Sequence, residues 1–325
     1  ASSDAITLAN DGTCTANITN NLSNRNLIIN GGMTIAQRSS GPVAVTNNSN
    51  EAYQSLDRVD FSFGNNAAGA ANISQSTDAP TTLGFTKSHK TDVTTANTTS
   101  TGNGIIGLKY VIEGQDIRNS GWNHLSDSSF LTLSFYFKTT KTGTTKLPIM
   151  FRTLHGTNYY YVKNITVSDP TNWNRYTCTI TGNSNLQIDD ANTGGLAIFF
   201  SYYTGSDKDT SSEGSWGSTN AYSTSESTNY FDNTSNDMFI TGIQLEVSSF
   251  STDFEHRSFG QELALCQRYC VVDVTSRNWY NASGGNVYDY QLISWPTTMR
   301  ATPTITFGSN VEMTNVNTSG GVNGH

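Results

Sequence analysis

Short stretches in which apolar and polar residues alternate recur along most of the chain. A period of two residues is typical of a half-buried β-strand. This pattern predicts strands over residues 58–63, 72–76, 104–113, 130–138, 146–154, 159–167, 175–181, 196–203 and 237–247. Parity within these strands predicts buried positions at Phe135, Phe137, Ile198, Phe200, Ile243 and Leu245. Short strands separated by Gly, Asn and Ser clusters predict an all-β antiparallel sandwich, not α/β crossovers.

The period changes after the last of these strands. Ser258 is followed three residues later by Gln261, which is the pattern of a helix capping box. An apolar stripe with helical spacing follows at Leu263, Cys266 and Cys270. The sequence therefore predicts a short connector helix over residues 259–270 that docks rigidly on the sandwich. Upstream, residues 27–29 predict a short strand that ends in the turn Asn30-Gly31-Gly32.

Composition adds limits on the partners of the chain. Only 14% of the 325 residues are charged, and the net charge is −8. The 18 basic residues are scattered, whereas a nucleic-acid-binding surface needs clustered Lys and Arg. There is no run of 18 apolar residues and no charged-then-apolar leader, so neither membrane insertion nor ordinary secretion is predicted.

The sequence contains few residue patterns that could support catalysis, disulfides or metal binding. The four cysteines are too few and too irregularly spaced for a disulfide framework, and the pair at i and i+4, Cys266 and Cys270, is interpreted as packing residues. None of the five histidines has a zinc-binding spacing, and no GxSxG elbow is present. The adjacent carboxylates Asp189 and Asp190 are interpreted as a solvated turn. No catalytic residue is predicted.

The longest stretch without periodicity, residues 204–236, is the predicted ligand-binding loop. It sets aromatic residues among Ser, Thr, Asn and Gly, a mixture that suits recognition of sugars or protein surfaces. The predicted ligand-binding residues are Trp216, Tyr222 and Tyr230, with Tyr203 and Tyr159 beside them. The alternative is a loop folded over the sandwich with its aromatic side chains tucked in.

The same loop contains a weak metal candidate. Asp207, Asp209 and Glu213 repeat the oxygen spacing with which a calcium loop begins. The glycine and the distant bidentate Glu that complete such a loop are missing. Apart from a structural calcium ion, no cofactor is predicted.

Six segments occur in an order that carries a family resemblance. They are NLIINGGMTIAQR (26–38), LDRVDF (56–61), IEGQDI (112–117), LTLSFYFK (131–138), WNRYTCTI (173–180), and the closing stretch with QLE, TDFE and ELALCQRYC (239–270). Together they resemble the lectin-like jelly-roll modules of bacteriophage tail fibres and other virion structural proteins. The resemblance implies a jelly roll, a homotrimer, and a structural calcium ion near Asn30 and Asp237.

The expected organisation has four parts. They are an N-terminal arm for assembly or attachment (1–26), a lectin-like jelly-roll sandwich (27–257), the connector helix (258–270) and the start of a C-terminal β-module (271–325). The arm either adds strands to neighbouring chains or is a disordered tail. The Gly-rich end offers no packing element, so we expect the chain to be a fragment.

Three functions follow from these observations. The first is a non-enzymatic virion component that attaches to host cell-surface polysaccharide and binds its own copies and other virion proteins. The second is a purely structural decoration, collar or adaptor protein, which composition does not separate from the first. The third is a polysaccharide depolymerase, for which no constellation is found. In each case we expect assembly in the host bacterial cytoplasm, where reduced thiols fit, and localisation in the virion.

Overall fold

The structure is a computed structural model that describes residues 6–8, 14–16, 25–47, 53–272 and 295–305. Its strands are β1 Ile6–Leu8, β2 Cys14–Ala16, β3 Val43–Thr46, β4 Asp60–Gly64, β5 Ala70–Ser76, β6 Ser88–Thr95, β7 Ile105–Glu113, β8 Phe130–Thr139, β9 Thr145–Thr153, β10 Tyr160–Val167, β11 Asn174–Thr181, β12 Gly194–Thr204, β13 Trp216–Gly217 and β14 Asp237–Glu246. Two short helices, α1 Gly114–Asn119 and α2 Phe259–Gln267, accompany them, with single 3₁₀ turns at Thr81–Leu83 and Ser206–Lys208.

Two six-stranded sheets make up the body of the described chain. The front sheet has the order β13-β10-β9-β12-β7-β4, and the back sheet has the order β11-β8-β14-β6-β5-β3. Every paired strand in both sheets is antiparallel. The predicted fold class, an all-β antiparallel jelly-roll sandwich, is confirmed.

The core lies between the two sheets. Phe135 of β8 and Phe200 of β12 meet edge to face across it, with ring centroids 5.1 Å apart. All of the residues predicted to be buried are fully buried: Phe135, Phe137, Ile198, Phe200, Ile243 and Leu245. Burial of each such side chain contributes about 1.5–3 kcal/mol.

Strand β14 does not keep one alternation along its length. The register with β8 shifts between Thr241 and Gln244, and Gly242 within this bulge has φ +62°. Met238 and Ile240 therefore face the core before the bulge, and Ile243 and Leu245 face it afterwards. A single alternation from residue 237 to residue 247 would put Phe239 on the same face as Ile243; the structure does not, because the extra residue of a bulge reverses the parity of the strand.

Residues 27–29 are not a strand, although their backbone is bonded to β14. Leu27 N–H donates to Leu245 O at 2.9 Å, and Ile243 N–H donates to Gly31 O at 3.0 Å. A Cβ at Gly31 would lie 2.0 Å from Ile243 O, so only glycine allows this close approach. The turn therefore rests directly on the last strand.

The two ends of the chain are described in part. Strands β1 and β2 pair with each other, Ile6 opposite Ala16. The rest of the predicted arm, and most of the predicted C-terminal β-module, lie outside the described residues. Among the described residues, no helix is both long and apolar enough to cross a membrane.

Helix α2 begins as the sequence predicts, in a capping box. Gln261 N–H donates to Ser258 Oγ at 3.3 Å, and Ser258 N–H donates to Gln261 Oε1 at 3.1 Å. The helix ends at Gln267, before the predicted end at 270. Its buried Glu262 accepts a hydrogen bond from Asn30 N–H, and Arg268 pairs with Glu113 at 2.9 Å. These contacts tie the helix to the sandwich.

Removal of the Ser258 cap should weaken the attachment of helix α2 to the sandwich. We expect Ser258→Ala to lower the free energy of unfolding by about 1 kcal/mol, whereas Ser258→Asp, which keeps a capping oxygen, should leave it nearly unchanged. Chemical denaturation would measure both variants. If amide exchange in Phe259–Gln267 is as fast as in residues 204–236, the helix is not a rigid connector.

Candidate functional site

The predicted ligand-binding loop is folded back onto the sandwich. Tyr230 has no exposed surface, because its ring packs edge to face on Phe137 with centroids 5.8 Å apart. Its hydroxyl donates to Thr145 Oγ1 at 2.8 Å. Tyr230 thus offers no surface to a ligand in this structure, and the alternative of tucked-in aromatic side chains describes this residue.

Tyr203 and Tyr222 are also covered. Tyr203 belongs to the main core and is 3% exposed. Tyr222 crosses the outer face of the front sheet, where its ring meets Phe199 edge to face at 5.2 Å. It closes a second apolar cluster on that face with Ile105, Met150, Tyr160, Val162, Phe199 and Ala221. With 7% exposure, Tyr222 offers almost no surface to a ligand.

Trp216 and Tyr159 keep partial exposure. Trp216 sits in β13, donates its ring N–H to Thr181 O at 2.7 Å and lies 5.4 Å from the ring of Tyr161. Tyr159 packs on the edge of the main core. The structure thus spreads the five predicted residues over the core, its edge and the outer face, and does not assemble them into one site.

The weak metal candidates are not assembled either. Asp209 accepts a hydrogen bond from Ser223 Oγ at 2.7 Å, while Glu213 pairs with Lys163 at 3.1 Å. Within the described ranges, no three His, Cys, Asp or Glu side chains group in a way that could hold a metal ion. Asp209 and Glu213 are thus engaged by different partners within the fold.

The resemblance implies a calcium ion near Asn30 and Asp237, but both side chains are bonded within the protein. The Asn30 amide nitrogen donates to Ile35 O at 2.8 Å and to Asp57 O at 2.9 Å, and its oxygen accepts from Ile35 N–H at 2.9 Å. Asp237 pairs with Lys90 at 3.0 Å. Asn30 is thus a turn-forming residue, and its side chain is used within the fold.

A charged cavity of about 290 Å³ opens at the edge of the front sheet formed by β4 and β7. We call it the edge cavity. It is lined by Arg38, Tyr53, Asp57, Arg58, Asp60, Lys109, Val111, Glu113, Asn192, Gly194, Tyr269 and Arg300. Small-molecule sites usually have volumes of about 300–1,000 Å³, so this cavity is at the small end for a ligand site.

Strand β7 supplies one wall of the edge cavity. Its even-numbered residues, such as Leu108 and Ile112, are buried in the core. Lys109, Val111 and Glu113 therefore point to the outer face, since side chains alternate along a strand. The alternation that fills the core thus also places a cation, an apolar side chain and a carboxylate in the cavity.

The segment before β4 supplies the opposite wall. Asp57 is held by Ile35 and Asn30 through its backbone, and its carboxylate accepts from Gln37 N–H at 2.8 Å. Burial raises the pKa of Asp57, although the hydrogen bond from Gln37 and the charge of Arg38 oppose this shift. The next residue, Arg58, has φ +68°, an uncommon conformation for a residue with a long side chain. The anchored Asp57 directs Arg58 into the cavity.

The end of helix α2 closes the cavity over Arg58. The Arg58 guanidinium lies 3.6 Å from the centre of the Tyr269 ring, and the Tyr269 hydroxyl donates to Glu113. Burial alone would raise the pKa of Glu113, but hydrogen bonds from Arg268 and Tyr269 lower its pKa below the ordinary value. Glu113 is therefore an ionised anchor for the helix end.

Arg300 forms the rim of the cavity. Its guanidinium donates to Asn192 O at 3.0 Å, and the Asn192 amide donates back to Arg300 O at 2.6 Å. Arg300 N–H also donates to Arg268 O at 2.9 Å. Residues 295–305 thus approach the sandwich at the cavity, which brings an exposed cation next to Asn192.

Sequence reasoning missed this site for a clear reason. Its residues come from six separate segments, and no two of the charged ones form a recognisable spacing. A weak signal existed, because Asp57-Arg58 and Arg268-Tyr269 both lie in segments that carry the family resemblance.

No protein-family model and no curated protein matches the sequence. Similar solved structures include a putative sugar-binding protein from Bacteroides thetaiotaomicron, 13% identical with a TM-score of 0.37, the match covering 69% of this chain and 100% of that one. The enzymatically active domain of bacteriophage CBA120 tailspike protein 4 is 12% identical, TM-score 0.33, over 69% of this chain and 22% of that one. A family 11 carbohydrate-binding module of a Clostridium thermocellum cellulase is 12% identical, TM-score 0.32, over 65% and 96%. At these scores, none of the likenesses indicates a shared function.

Proposed function

We propose that this chain is a non-enzymatic virion component of the tail-fibre or spike type that attaches to host-surface polysaccharide and holds one sugar unit in the edge cavity. The observation that carries this proposal is the cavity itself. It combines aromatic side chains, Tyr53 and Tyr269, with convergent charged groups on the edge of a rigid sheet. An apolar or aromatic wall with a few placed polar groups is the usual composition of a small-molecule site.

The lining chemistry suits a sugar. Lys109 and Asp60 form an ion pair with a separation of 2.9 Å at the wall, and the Asn192 amide lies at the rim. Cations donate and carboxylates accept, so together they satisfy hydroxyl groups, which do both. The half-buried Val111 adds an apolar contact between them. This proposal puts the binding site at the outer edge of the front sheet instead of in the 204–236 loop.

The carboxylates argue for binding without turnover. Glycoside hydrolysis uses two carboxyl groups, one of which has a raised pKa and protonates the leaving group. Glu113 has a lowered pKa and is held by Arg268. Asp57 has a raised pKa, but both of its oxygens accept hydrogen bonds, from Gln37 and Arg38. Asp60, the third lining carboxylate, pairs with Lys109 at 2.9 Å, so all three are committed to bonds within the fold.

The purely structural alternative has one specific observation in its favour. Arg58, Glu113, Arg268 and Tyr269 join helix α2 to the sandwich through an ion pair, a ring stack and a hydrogen bond. In a decoration, collar or adaptor protein, this network would serve only to hold the helix. We propose a homotrimer with virion partners for either role, on the resemblance described above.

A cavity-filling variant separates the two roles. Val111→Trp adds bulk on the outer face of β7 without removing a charged group, and we expect it to weaken glycan binding about tenfold or more. Thr177→Trp makes the same kind of change at an exposed position of β11 in the back sheet and should leave binding unchanged. Glycan-array screening of the wild-type chain, followed by titration calorimetry on its best ligand, would measure both variants.

Three results would count against the proposal. If the array shows no glycan bound while the chain is incorporated into virions, the structural role is correct. If Val111→Trp binds as tightly as Thr177→Trp, a glycan site exists but lies elsewhere. Release of oligosaccharides from host polysaccharide would identify a depolymerase.

A further inference from the structure

The cations of the edge cavity are not all matched by carboxylates. Lys109 pairs with Asp60 at 2.9 Å, and Arg38 pairs with Asp57 at 3.1 Å. The third lining carboxylate, Glu113, is engaged by Arg268 at 2.9 Å. Among the described residues, Arg58 and Arg300 therefore have no carboxylate within 4.0 Å.

Arg58 is the more demanding of these two cations, because its side chain is buried. Only 9% of the residue is exposed, yet just one of its guanidinium nitrogens, Nη2, has an acceptor, the carbonyl oxygen of Val111. Its Nε is buried without a partner among the described residues. Asp57 and Asp116 influence it only through space. A buried cation without a contacting anion is costly, since one carbonyl acceptor and one aromatic ring replace only part of the hydration that it loses.

The backbone conformation of Arg58 also indicates a ligand-binding role. The left-handed conformation at φ +68° is unfavourable for a residue with a long side chain, and the bonds to Asp57 hold it. Strain of this kind clusters at ligand-binding positions, where a fixed geometry is useful. The ring of Tyr269 further fixes the plane of the guanidinium. Arg58 is thus presented to the cavity in one orientation.

We infer that the edge cavity takes an acidic sugar, and that Arg58 binds the carboxylate of a hexuronic acid or related sugar acid, with Arg300 as a second cation at the rim. This inference rests on the proposed function and names the class of sugar. A planar guanidinium matches a carboxylate in a two-bond fork. One carboxylate would supply the single negative charge that Arg58 lacks.

A phosphate group would also pair with the guanidinium of Arg58, so the test has to separate it from a carboxylate. The remaining hydroxyls of a sugar acid would face the Lys109–Asp60 pair and Asn192. The cavity thus favours an anionic ligand that is rich in hydroxyl groups.

The test compares a polymer with its own neutral form. Polygalacturonate and its carboxyl-reduced form differ only at C6, where a neutral hydroxymethyl group replaces the carboxylate. A polyglycerol phosphate supplies the phosphate arm. We expect the wild-type chain to bind polygalacturonate at least about 30-fold more tightly than the reduced polymer. Titration calorimetry would give the three affinities.

Two variants and one control show which cation binds the negative charge of the ligand. Arg300→Gln removes the exposed rim cation and should weaken polygalacturonate binding several-fold without affecting the reduced polymer. Arg118→Gln, the same change at an exposed arginine of α1 that does not line the cavity, should have no effect. Arg58→Lys keeps the charge but removes the fork, and should weaken binding about tenfold. If Arg58→Lys fails to fold, the polymer pair and Arg300→Gln still decide.

The outcomes separate this inference from the proposed function. Loss of binding on carboxyl reduction, with weakening in Arg300→Gln, supports both. Equal binding of the native and the reduced polymer overturns the acidic-sugar inference and leaves the glycan site standing. Preference for polyglycerol phosphate overturns the carboxylate assignment. If none of the three polymers binds and the array is also silent, the proposed function fails and the inference fails with it.

Discussion

Replacement of Leu245 by alanine should lower the free energy of unfolding by about 2–5 kcal/mol, since truncation of a buried leucine removes apolar contacts and leaves a cavity. Leu245 is fully buried in β14, opposite Leu133 of β8. It follows the bulge at Gly242, so its inward orientation depends on that irregularity. Urea denaturation of the purified chain would measure the effect.

Val247 is the matched control for this substitution. It lies two residues beyond Leu245, just past the end of β14, and is 39% exposed. Val247→Ala should change stability by less than about 0.5 kcal/mol, as surface substitutions usually do. Equal effects of the two variants would mean that the sheet ends earlier and that Leu245 is not in the core.

The sequence predicted most of the sheet because strands buried on one face leave a strong alternation. The predicted strand 130–138 is found as Phe130–Thr139, and the predicted strand 237–247 is found as Asp237–Glu246. Three strands outside the arm were missed: Val43–Thr46, Ser88–Thr95 and Trp216–Gly217. Ser88–Thr95 reads SHKTDVTT, in which His89 and Thr91 face inward beside Val93. Because polar residues stand at core positions, the strand lacks the alternation of apolar and polar residues by which strands are predicted.

The bulge in β14 was unpredictable for a different reason. One uninterrupted period over residues 237–247 fits the sequence, and Gly242 by itself does not indicate the inserted residue. The positive φ of Gly242 follows from the register shift against β8, which is a property of two strands together. Local sequence can suggest a bulge at a strand glycine, but the neighbouring strand decides it.

The candidate site was the least predictable part. Aromatic residues in a long polar loop suggested a surface for ligands, yet Tyr230 and Tyr222 are used to cover the two faces of the front sheet. A sandwich of this size gains more from burying a tyrosine ring than from exposing it. The charged residues of the edge cavity come from distant segments, so only the fold brings them together. The composition of the loop therefore suggested a ligand site, whereas packing buries two of its aromatic side chains.

The turn at Asn30 connects the fold to the edge cavity and should be highly sensitive. The Asn30 amide group makes three hydrogen bonds to buried backbone, among them one to Asp57 O beside Arg58. The residue also has φ +61°, which asparagine tolerates better than alanine. Asn30→Ala should therefore cost about 3–5 kcal/mol, since buried backbone groups lose their partners and the backbone is strained.

Two further variants separate the contribution of backbone strain from that of the lost hydrogen bonds. Asn30→Gly relieves the backbone strain but restores none of the hydrogen bonds, so it should recover only about 1 kcal/mol of the loss. Asn65 has φ +55° and donates to Asn103 O at 2.9 Å, but it is exposed. Asn65→Ala should thus cost only about 1 kcal/mol, because water replaces its hydrogen bond. If denaturation curves show Asn30→Ala and Asn65→Ala to be equally destabilised, the buried amide network does not hold the Asp57–Arg58 wall, and the orientation of Arg58 must come from Tyr269 alone.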